Sequence, residues 1–180
     1  MKYTINAVLI LLMPVISGIA FASPIMVSKN GAPYVQLSDN PISDLFQGLT
    51  VMTAGVCSMN CTLSLSTTIT DIPGVDTALI AIGDAEFNGG LLCGLVSFDA
   101  PSFPWVATAA HSTISLSSPL TIPFNVSGVD TGGCMLCSGI SLNMTYSNES
   151  GGVFLVDGTD GAGCTINGVI SSGDYYTLSH

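Results

Sequence analysis

Apolar and polar residues alternate along much of this chain with a period of two. The alternation is strict at 62–66, 113–117 and 140–146, where Leu, Ile and Met side chains alternate with Ser, Thr and Asn. A strand with this pattern places its apolar groups on one face and its hydroxyl or amide groups on the other. The three segments are therefore predicted to be half-buried antiparallel strands.

Further strands are predicted where apolar runs lie between clusters of turn-forming residues. They are expected near residues 49–56, 77–87, 91–98, 120–127, 152–156, 164–171 and 174–178. Gly, Pro, Asn and Asp separate these runs, as in Ile72-Pro73-Gly74 and Asn88-Gly89-Gly90. About ten short strands at this spacing predict an all-β fold, either a β-sandwich or a barrel. No shift in composition divides residues 23–180, so a single domain is expected.

Residues 1–22 have the features of a secretory signal peptide. A cationic start, Met1-Lys2, precedes an apolar stretch over 7–19, and Ala20-Phe21-Ala22 supplies the small residues of a cleavage position. A retained membrane anchor is the alternative, but a proline and a glycine interrupt a stretch that is short for a bilayer span. Cleavage is predicted after Ala22, and no second apolar stretch of spanning length follows. We expect an exported protein, in the medium or at the cell surface, with the periplasm as an alternative.

Residues 23–180 are strongly acidic, since Lys29 is their only Lys or Arg and twelve Asp and Glu oppose it. Neutralising phosphate groups takes several cationic side chains, so nucleic acids and anionic lipid surfaces are excluded as partners. A neutral or cationic partner, or a metal ion, remains compatible with the charge. Like charge also keeps secreted chains apart in solution, and that effect alone is sufficient to account for the acidity.

Six cysteines follow the predicted signal peptide: Cys57, Cys61, Cys93, Cys134, Cys137 and Cys164. An even number of cysteines in an exported chain favours disulfides, although the number leaves many pairings open. A four-thiolate zinc site built from the first two cysteines and the CxxC motif, or a redox pair at that motif, is the alternative. The CxxC motif follows a glycine turn and enters a predicted strand, whereas redox pairs open helices. Structural bridges are therefore the preferred interpretation.

Candidate catalytic residues are few. The two histidines are His111 and the C-terminal residue, and the Gly-x-Ser-x-Gly motif of hydrolases is missing from the sequence. A triad of His111, Ser112 and Asp99 is conceivable, but an exposed loop histidine is the preferred interpretation. Asp157 and Asp160 match a calcium-binding loop only loosely, so an acidic hairpin loop is preferred there. We predict that the protein is not an enzyme and holds neither cofactor nor metal.

The only tryptophan lies in the segment Phe103-Pro104-Trp105, just before an alternating run. In the strand predicted beyond Pro104, Trp105, Ala107 and Ala109 share one face. An inward Trp105 fills the core, and this is the preferred interpretation. The alternative is that Phe103 and Trp105 form an exposed apolar platform for an alkane, an acyl chain or a neighbouring subunit. The outward positions of the predicted strands are Ser, Thr and Asn, so this pair is the best available candidate.

The order of these features resembles a known bacterial family of exported proteins. A cysteine-led strand begins at Cys61, a Gly-Gly-Leu-Leu-Cys segment ends at Cys93, a Phe-Pro-Trp segment ends at Trp105, and a cysteine-led strand from Cys164 closes the pattern. Over residues 35–178 the chain resembles the protein activators of alkane oxidation, or PraB-like proteins.

The resemblance implies two disulfides, Cys61–Cys93 and Cys137–Cys164. The cysteine pattern of the family has no counterpart for Cys57 and Cys134. These two cysteines are left to form a third bridge with each other. The family name implies a non-enzymatic helper of hydrocarbon utilisation that contacts hydrocarbon or another apolar ligand. A cell-surface or biofilm-matrix protein that self-associates is the alternative, because strands rich in Gly, Ser and Thr with few charges fit it equally well.

Overall fold

The computed structural model describes residues 23–98, 103–115, 119–133, 137–160 and 162–179. These residues form twelve β-strands in two antiparallel sheets. The strands are β1 Met26–Lys29, β2 Val35–Gln36, β3 Ile42–Ala54, β4 Cys57–Asp71, β5 Thr77–Asn88, β6 Val96–Phe98, β7 Trp105–Ala110, β8 Thr121–Gly133, β9 Cys137–Ser147, β10 Val153–Thr159, β11 Cys164–Ser171 and β12 Tyr176–Ser179. Helical structure in the same ranges is confined to 3-10 turns at Cys93–Leu95, His111–Thr113 and Glu149–Gly151. The predicted all-β fold class is confirmed.

Nine strands form the larger sheet, in the order β6-β8-β9-β10-β11-β3-β4-β5-β7. Most neighbours in this sheet are also neighbours in sequence, joined by short turns such as the one at Gly55. The sheet curls until β7, at one edge, lies beside β8, next to the other edge. The result is a half-barrel whose concave face is the core.

Two inward-facing glycines lie where the sheet bends between β3 and β11. A Cβ atom on Gly48 would lie closer than 3.0 Å to the carbonyl oxygen of Val169, and one on Gly168 would lie 2.6 Å from the carbonyl oxygen of Leu49. The backbones of the two strands therefore approach more closely than any side chain at these positions would permit.

The inward positions of both sheets belong to one continuous buried cluster. At its centre Phe46 and Phe154 pack edge to face with ring centroids 4.9 Å apart, and Tyr146 meets Phe154 at 5.4 Å. The Tyr146 hydroxyl donates a hydrogen bond to the carbonyl oxygen of Tyr176 at 3.4 Å, and burial raises the pKa of this hydroxyl. Aromatic contacts of this geometry add to the free energy gained from burial alone.

The smaller sheet, in the order β12-β1-β2, covers the end of the half-barrel where β4 ends and β3 begins. The Ile25 amide donates a hydrogen bond to Oδ2 of Asp71 at 3.1 Å. The Asn148 side chain donates to the carbonyl oxygen of Leu178 at 2.6 Å and accepts from its amide at 2.8 Å. Backbone groups that would otherwise be buried without partners are thus paired across the two sheets.

Two predicted strands differ from the structure. Of the strand predicted at 113–117 the structure describes only residues 113–115, where the Thr113 hydroxyl donates to the carbonyl oxygen of Ala110 at 2.7 Å and closes a 3-10 turn, and Ser115 forms a bridge with Thr121; residues 116 and 117 lie outside the described residues. The segment 91–98 is a strand only from Val96, since a 3-10 turn occupies Cys93–Leu95. Strands β1 and β2 were not predicted, because they are too short to show a period.

Candidate functional site

Trp105 lies in the core, as the preferred interpretation expected. Its side chain is 5% exposed and meets Phe98 edge to face, with ring centroids 5.0 Å apart. Phe103 is half-buried and stacks on Trp105 at 4.4 Å, while Phe98 stacks on Phe87 at 4.6 Å. The four rings close the concave face near the start of β7. Trp105 is thus part of the core, and Phe103 packs against it from a half-buried position.

Two disulfides lie toward the other end of the half-barrel from the small sheet. Cys61 is bonded to Cys93, with Cα atoms 5.6 Å apart, which ties β4 to the 3-10 turn before β6. Cys137 is bonded to Cys164 across the end of β10, with Cα atoms 6.1 Å apart. These are the pairs that the family resemblance implied. Because Cys61 and Cys137 are oxidised, they cannot serve as thiolate ligands of the alternative zinc site.

The third predicted bridge is not present in the described part of the chain. Cys57 is exposed and is bonded to no other cysteine among the described residues, and Cys134 lies outside them. The bridge between them stays a prediction for the exported protein, where an oxidising compartment favours it.

Thiol titration of the exported protein under denaturing, non-reducing conditions tests this bridge. We expect no free thiol in the wild-type chain and one free thiol per chain in the Cys57→Ser variant, because that change releases Cys134. Two free thiols in the wild-type chain would show that both cysteines remain reduced.

His111 is buried, so the prediction of an exposed loop histidine is wrong. Its Nε2 atom lies 2.7 Å from Oδ1 of Asp71, and its Nδ1 atom lies 2.8 Å from Oδ1 of Asp76. Its amide donates to the carbonyl oxygen of Asp76 at 3.0 Å. Both ring nitrogens thus hold together the ends of β4, β5 and β7, next to the small sheet bound by Asp71. Asp99, the third member of the conceivable triad, lies outside the described residues.

The acidic loop after β10 forms a hairpin turn. Oδ1 of Asp160 accepts hydrogen bonds from the amides of Ala162 at 2.9 Å and Cys164 at 2.7 Å. Its carboxylate also lies near the sulfurs of Cys137 and Cys164, but those sulfurs are bonded to each other. Asp157 is exposed on β10, opposite Asn143 and Asn167. The Asp160 carboxylate thus orders the turn.

An exposed apolar surface lies on the convex side of the sheet, across β10, β11 and β3. Leu155 pairs with Val169, and the flanking pairs of β11 with β3, Gly168 with Thr50 and Ser171 with Gln47, place Val169 beside Leu49. Leu49 is 64% exposed, Val169 50% and Leu155 48%. Leu45 and Val51 extend the surface along β3 and are also exposed. We call these five side chains the outer apolar face.

The outer apolar face corrects the expectation that outward positions carry only Ser, Thr and Asn. Polar residues do border it, with Thr145 opposite Leu155 and Thr62 opposite Leu49. The signal in the sequence is a set of adjacent apolar pairs inside the strands: Leu45-Phe46, Val51-Met52, Leu155-Val156 and Val169-Ile170. Since successive residues of a strand face opposite sides, each such pair supplies one apolar group to the core and one to the surface.

A cleft of about 500 Å³ lies beside the small sheet, between the β1–β2 hairpin and the chain entering β3. Six of the residues along it are apolar: Val27, Ala32, Pro33, Val35, Pro41 and Ile42. The remaining lining residues are Lys29, Asn40, Ser43 and Tyr176. We call this cleft the small-sheet groove.

The positive charge of Lys29 at the small-sheet groove is balanced by an ion pair with Asp174. Its Nζ atom lies 2.5 Å from Oδ2 of Asp174 and 5.4 Å from the centre of the Tyr176 ring. The hydrogen bond with Asp174 raises the pKa of Lys29, and hydrogen bonds from Lys29 and Asn30 lower the pKa of Asp174. Both members of the pair are therefore charged at neutral pH, and their charges cancel.

A family model described as alkane oxidation protein activator PraA/PraB-like matches residues 4–180. The chain belongs to the PraA/PraB-like family. No curated protein and no solved structure matches the chain.

The PraA/PraB-like match extends beyond residues 35–178, over which the sequence resembles the family, and includes most of the predicted signal peptide. The family description denotes an activator. Within the described ranges, no helix is long and apolar enough to cross a membrane.

Proposed function

We propose that this PraA/PraB-like protein is an exported, non-enzymatic accessory protein that assists hydrocarbon utilisation by contacting hydrocarbon through its outer apolar face. The observation that carries the proposal is that face, five exposed Leu and Val side chains on neighbouring strands of one sheet. The predicted signal peptide over 1–22 and the two disulfides support export to the medium or the cell surface.

The outer apolar face suits contact with hydrocarbon rather than with a charged partner. None of its five side chains is polar, and burial of apolar surface is worth about 25 cal/mol per Å². The face lies on strands that are paired on both sides, so little conformational freedom is lost when it is covered. The acidic charge of the chain keeps neighbouring molecules apart while this face remains exposed.

Adsorption to a hexadecane–water interface tests the proposal. Replacing Leu49 and Leu155 together by Ser is expected to weaken adsorption about tenfold or more, since each leucine loses part of the ~1.5–3 kcal/mol that its full burial contributes. The measurement is the fraction of purified protein depleted from water by a hexadecane emulsion. Because both side chains are about half exposed, the melting temperature should change little.

The matched control is Leu91→Ser in the loop before Cys93. Leu91 is 86% exposed but lies outside the outer apolar face, so this variant should adsorb like the wild-type protein. Equal adsorption of the wild-type protein and the Leu49→Ser/Leu155→Ser variant would overturn the proposed function. So would a larger loss in the Leu91→Ser variant.

Self-association in a surface or biofilm matrix is the second candidate function. The same face supports it, because apolar faces of antiparallel sheets pack against each other. Sedimentation of the wild-type protein separates the two candidates. Large assemblies that the Leu49→Ser/Leu155→Ser variant no longer forms would favour the matrix role, and a monomer that adsorbs to hexadecane would favour the accessory role.

A further inference from the structure

The small-sheet groove is separate from the outer apolar face. It lies between the β1–β2 hairpin and the residues that enter β3, at the end of the half-barrel away from the disulfides. Its volume of about 500 Å³ falls within the ~300–1,000 Å³ of clefts that hold small molecules in proteins. The groove has room for a single small molecule.

The walls of the groove favour an aliphatic occupant. Val27 and Ile42 are buried and form its base, while Val35 is 41% exposed on its open side. Pro33 and Pro41 lie on the two segments that flank the groove, where their fixed φ angles restrict the backbone. A bound molecule would cover the exposed part of Val35. The two segments would lose little conformational freedom on binding, because their prolines already restrict them.

The charges near the groove disfavour an anionic head group. The positive charge of Lys29 is cancelled by Asp174, and Asp44 adds a further negative charge near Tyr176. The neutral lining groups Asn40 and Ser43 are exposed and can both donate and accept hydrogen bonds. These side chains can pair with an uncharged hydroxyl, whereas a carboxylate at the same place would meet the negative charges of Asp44 and Asp174 with no net positive charge to offset them.

We propose that the small-sheet groove binds one molecule of a neutral, single-chain aliphatic alcohol, with its chain against Val27, Val35 and Ile42 and its hydroxyl at Asn40 and Ser43. The proposal rests on the proposed function, which brings the protein into contact with hydrocarbon and its derivatives. It adds a site that takes single molecules, whereas the outer apolar face adsorbs to an extended apolar surface.

Backbone NMR of the protein titrated with 1-decanol tests the site. We expect saturable shifts of the amide signals of Val27, Val35 and Ile42, and none for an equal concentration of sodium decanoate. Val35→Glu is expected to weaken 1-decanol binding at least about tenfold, because it places an unpaired charge in the groove. Val75→Glu is the matched control, since Val75 is 54% exposed in the β4–β5 turn and does not line the groove.

Asp174→Asn tests the head-group preference separately. The variant keeps a polar side chain beside Asn30 but removes the charge that neutralises Lys29. Decanoate is then expected to produce the same amide shifts that 1-decanol produces in the wild-type protein. If decanoate still fails to bind, the charge argument for a neutral ligand is wrong.

The outcomes distinguish this proposal from the proposed function. Decanol shifts confined to Leu49, Leu155 and Val169 would overturn the groove site and leave hydrocarbon adsorption standing. Shifts at the groove that persist in Val35→Glu would also overturn it. Saturable groove binding in a protein that does not adsorb to hexadecane would support the groove and overturn the proposed function.

Discussion

Trp105→Ala is expected to lower the free energy of unfolding by about 3–5 kcal/mol, the usual cost of truncating a buried Trp or Phe to Ala. Trp105 is 5% exposed and touches both Phe98 and Phe103, so its removal leaves a cavity and takes one aromatic contact from each of these two rings. Urea unfolding of the wild-type and variant proteins measures the difference. The disulfides remain in both proteins, so they do not contribute to it.

Val106→Ala is the control for this prediction. Val106 is the next residue of β7 but points outward and is 53% exposed, so its truncation should change stability by less than about 0.5 kcal/mol. Trp105 is the only tryptophan, so the fluorescence of the wild-type protein reports on this site alone. Emission like that of indole in water, readily quenched by acrylamide, would show that Trp105 is not in the core.

The strands were predictable from the sequence because an exposed convex face and a buried concave face impose a period of two. The prediction for β11, residues 164–171, matches its bounds, since glycine-containing turns flank it on both sides. The predictions near 49–56 and 62–66 found only parts of β3 and β4. These two strands are paired over their whole length, and the turn between them is as short as Gly55-Val56.

What the sequence did not predict depends on contacts between distant residues. His111 and Asp71 are 40 residues apart, and only the pairing of β4 with β5 and of β5 with β7 brings them together. An isolated histidine in a polar segment is therefore indistinguishable from an exposed one. Strands β1 and β2 of the small sheet were missed for the same reason, since they are short and depend on pairing with distant residues, whereas β12 was predicted near 174–178.

The outer apolar face was missed for a different reason. A buried position and an exposed position can both be occupied by leucine, and the sequence alone does not show which side of β3 faces the core at Leu45 or Leu49. The register of β10, β11 and β3 decides it, because that register aligns Leu155, Val169 and Leu49 on the convex side. The Phe103 and Trp105 pair was the apparent candidate only because it interrupts the alternation.

The bend between β3 and β11 is expected to be the position most sensitive to a single added methyl group. In Gly48→Ala the new Cβ atom would lie closer than 3.0 Å to the carbonyl oxygen of Val169 and 2.8 Å from the Cα atom of Ile170. These are backbone atoms, so rotation of a side chain cannot relieve the overlap. Overpacking typically costs about 1–3 kcal/mol and occasionally more, and we expect a loss of about 3 kcal/mol or more in the free energy of unfolding.

Gly83→Ala is the matched control for this bend, because Gly83 is also a strand glycine but no atom lies within 4 Å of the position of its added Cβ. Its stability should lie within about 0.5 kcal/mol of the wild-type value in the same urea titration. Equal stability of the two variants would show that β3 and β11 do not approach as closely as the structure places them.

The close approach of β3 and β11 also bears on function, since Leu49 follows Gly48 and Val169 follows Gly168. The same close approach of the two backbones that excludes a Cβ atom on the concave side places these two side chains next to each other on the convex side. A Gly48→Ala protein that still folds should therefore adsorb less to hexadecane, because separating the strands also separates Leu49 from Val169.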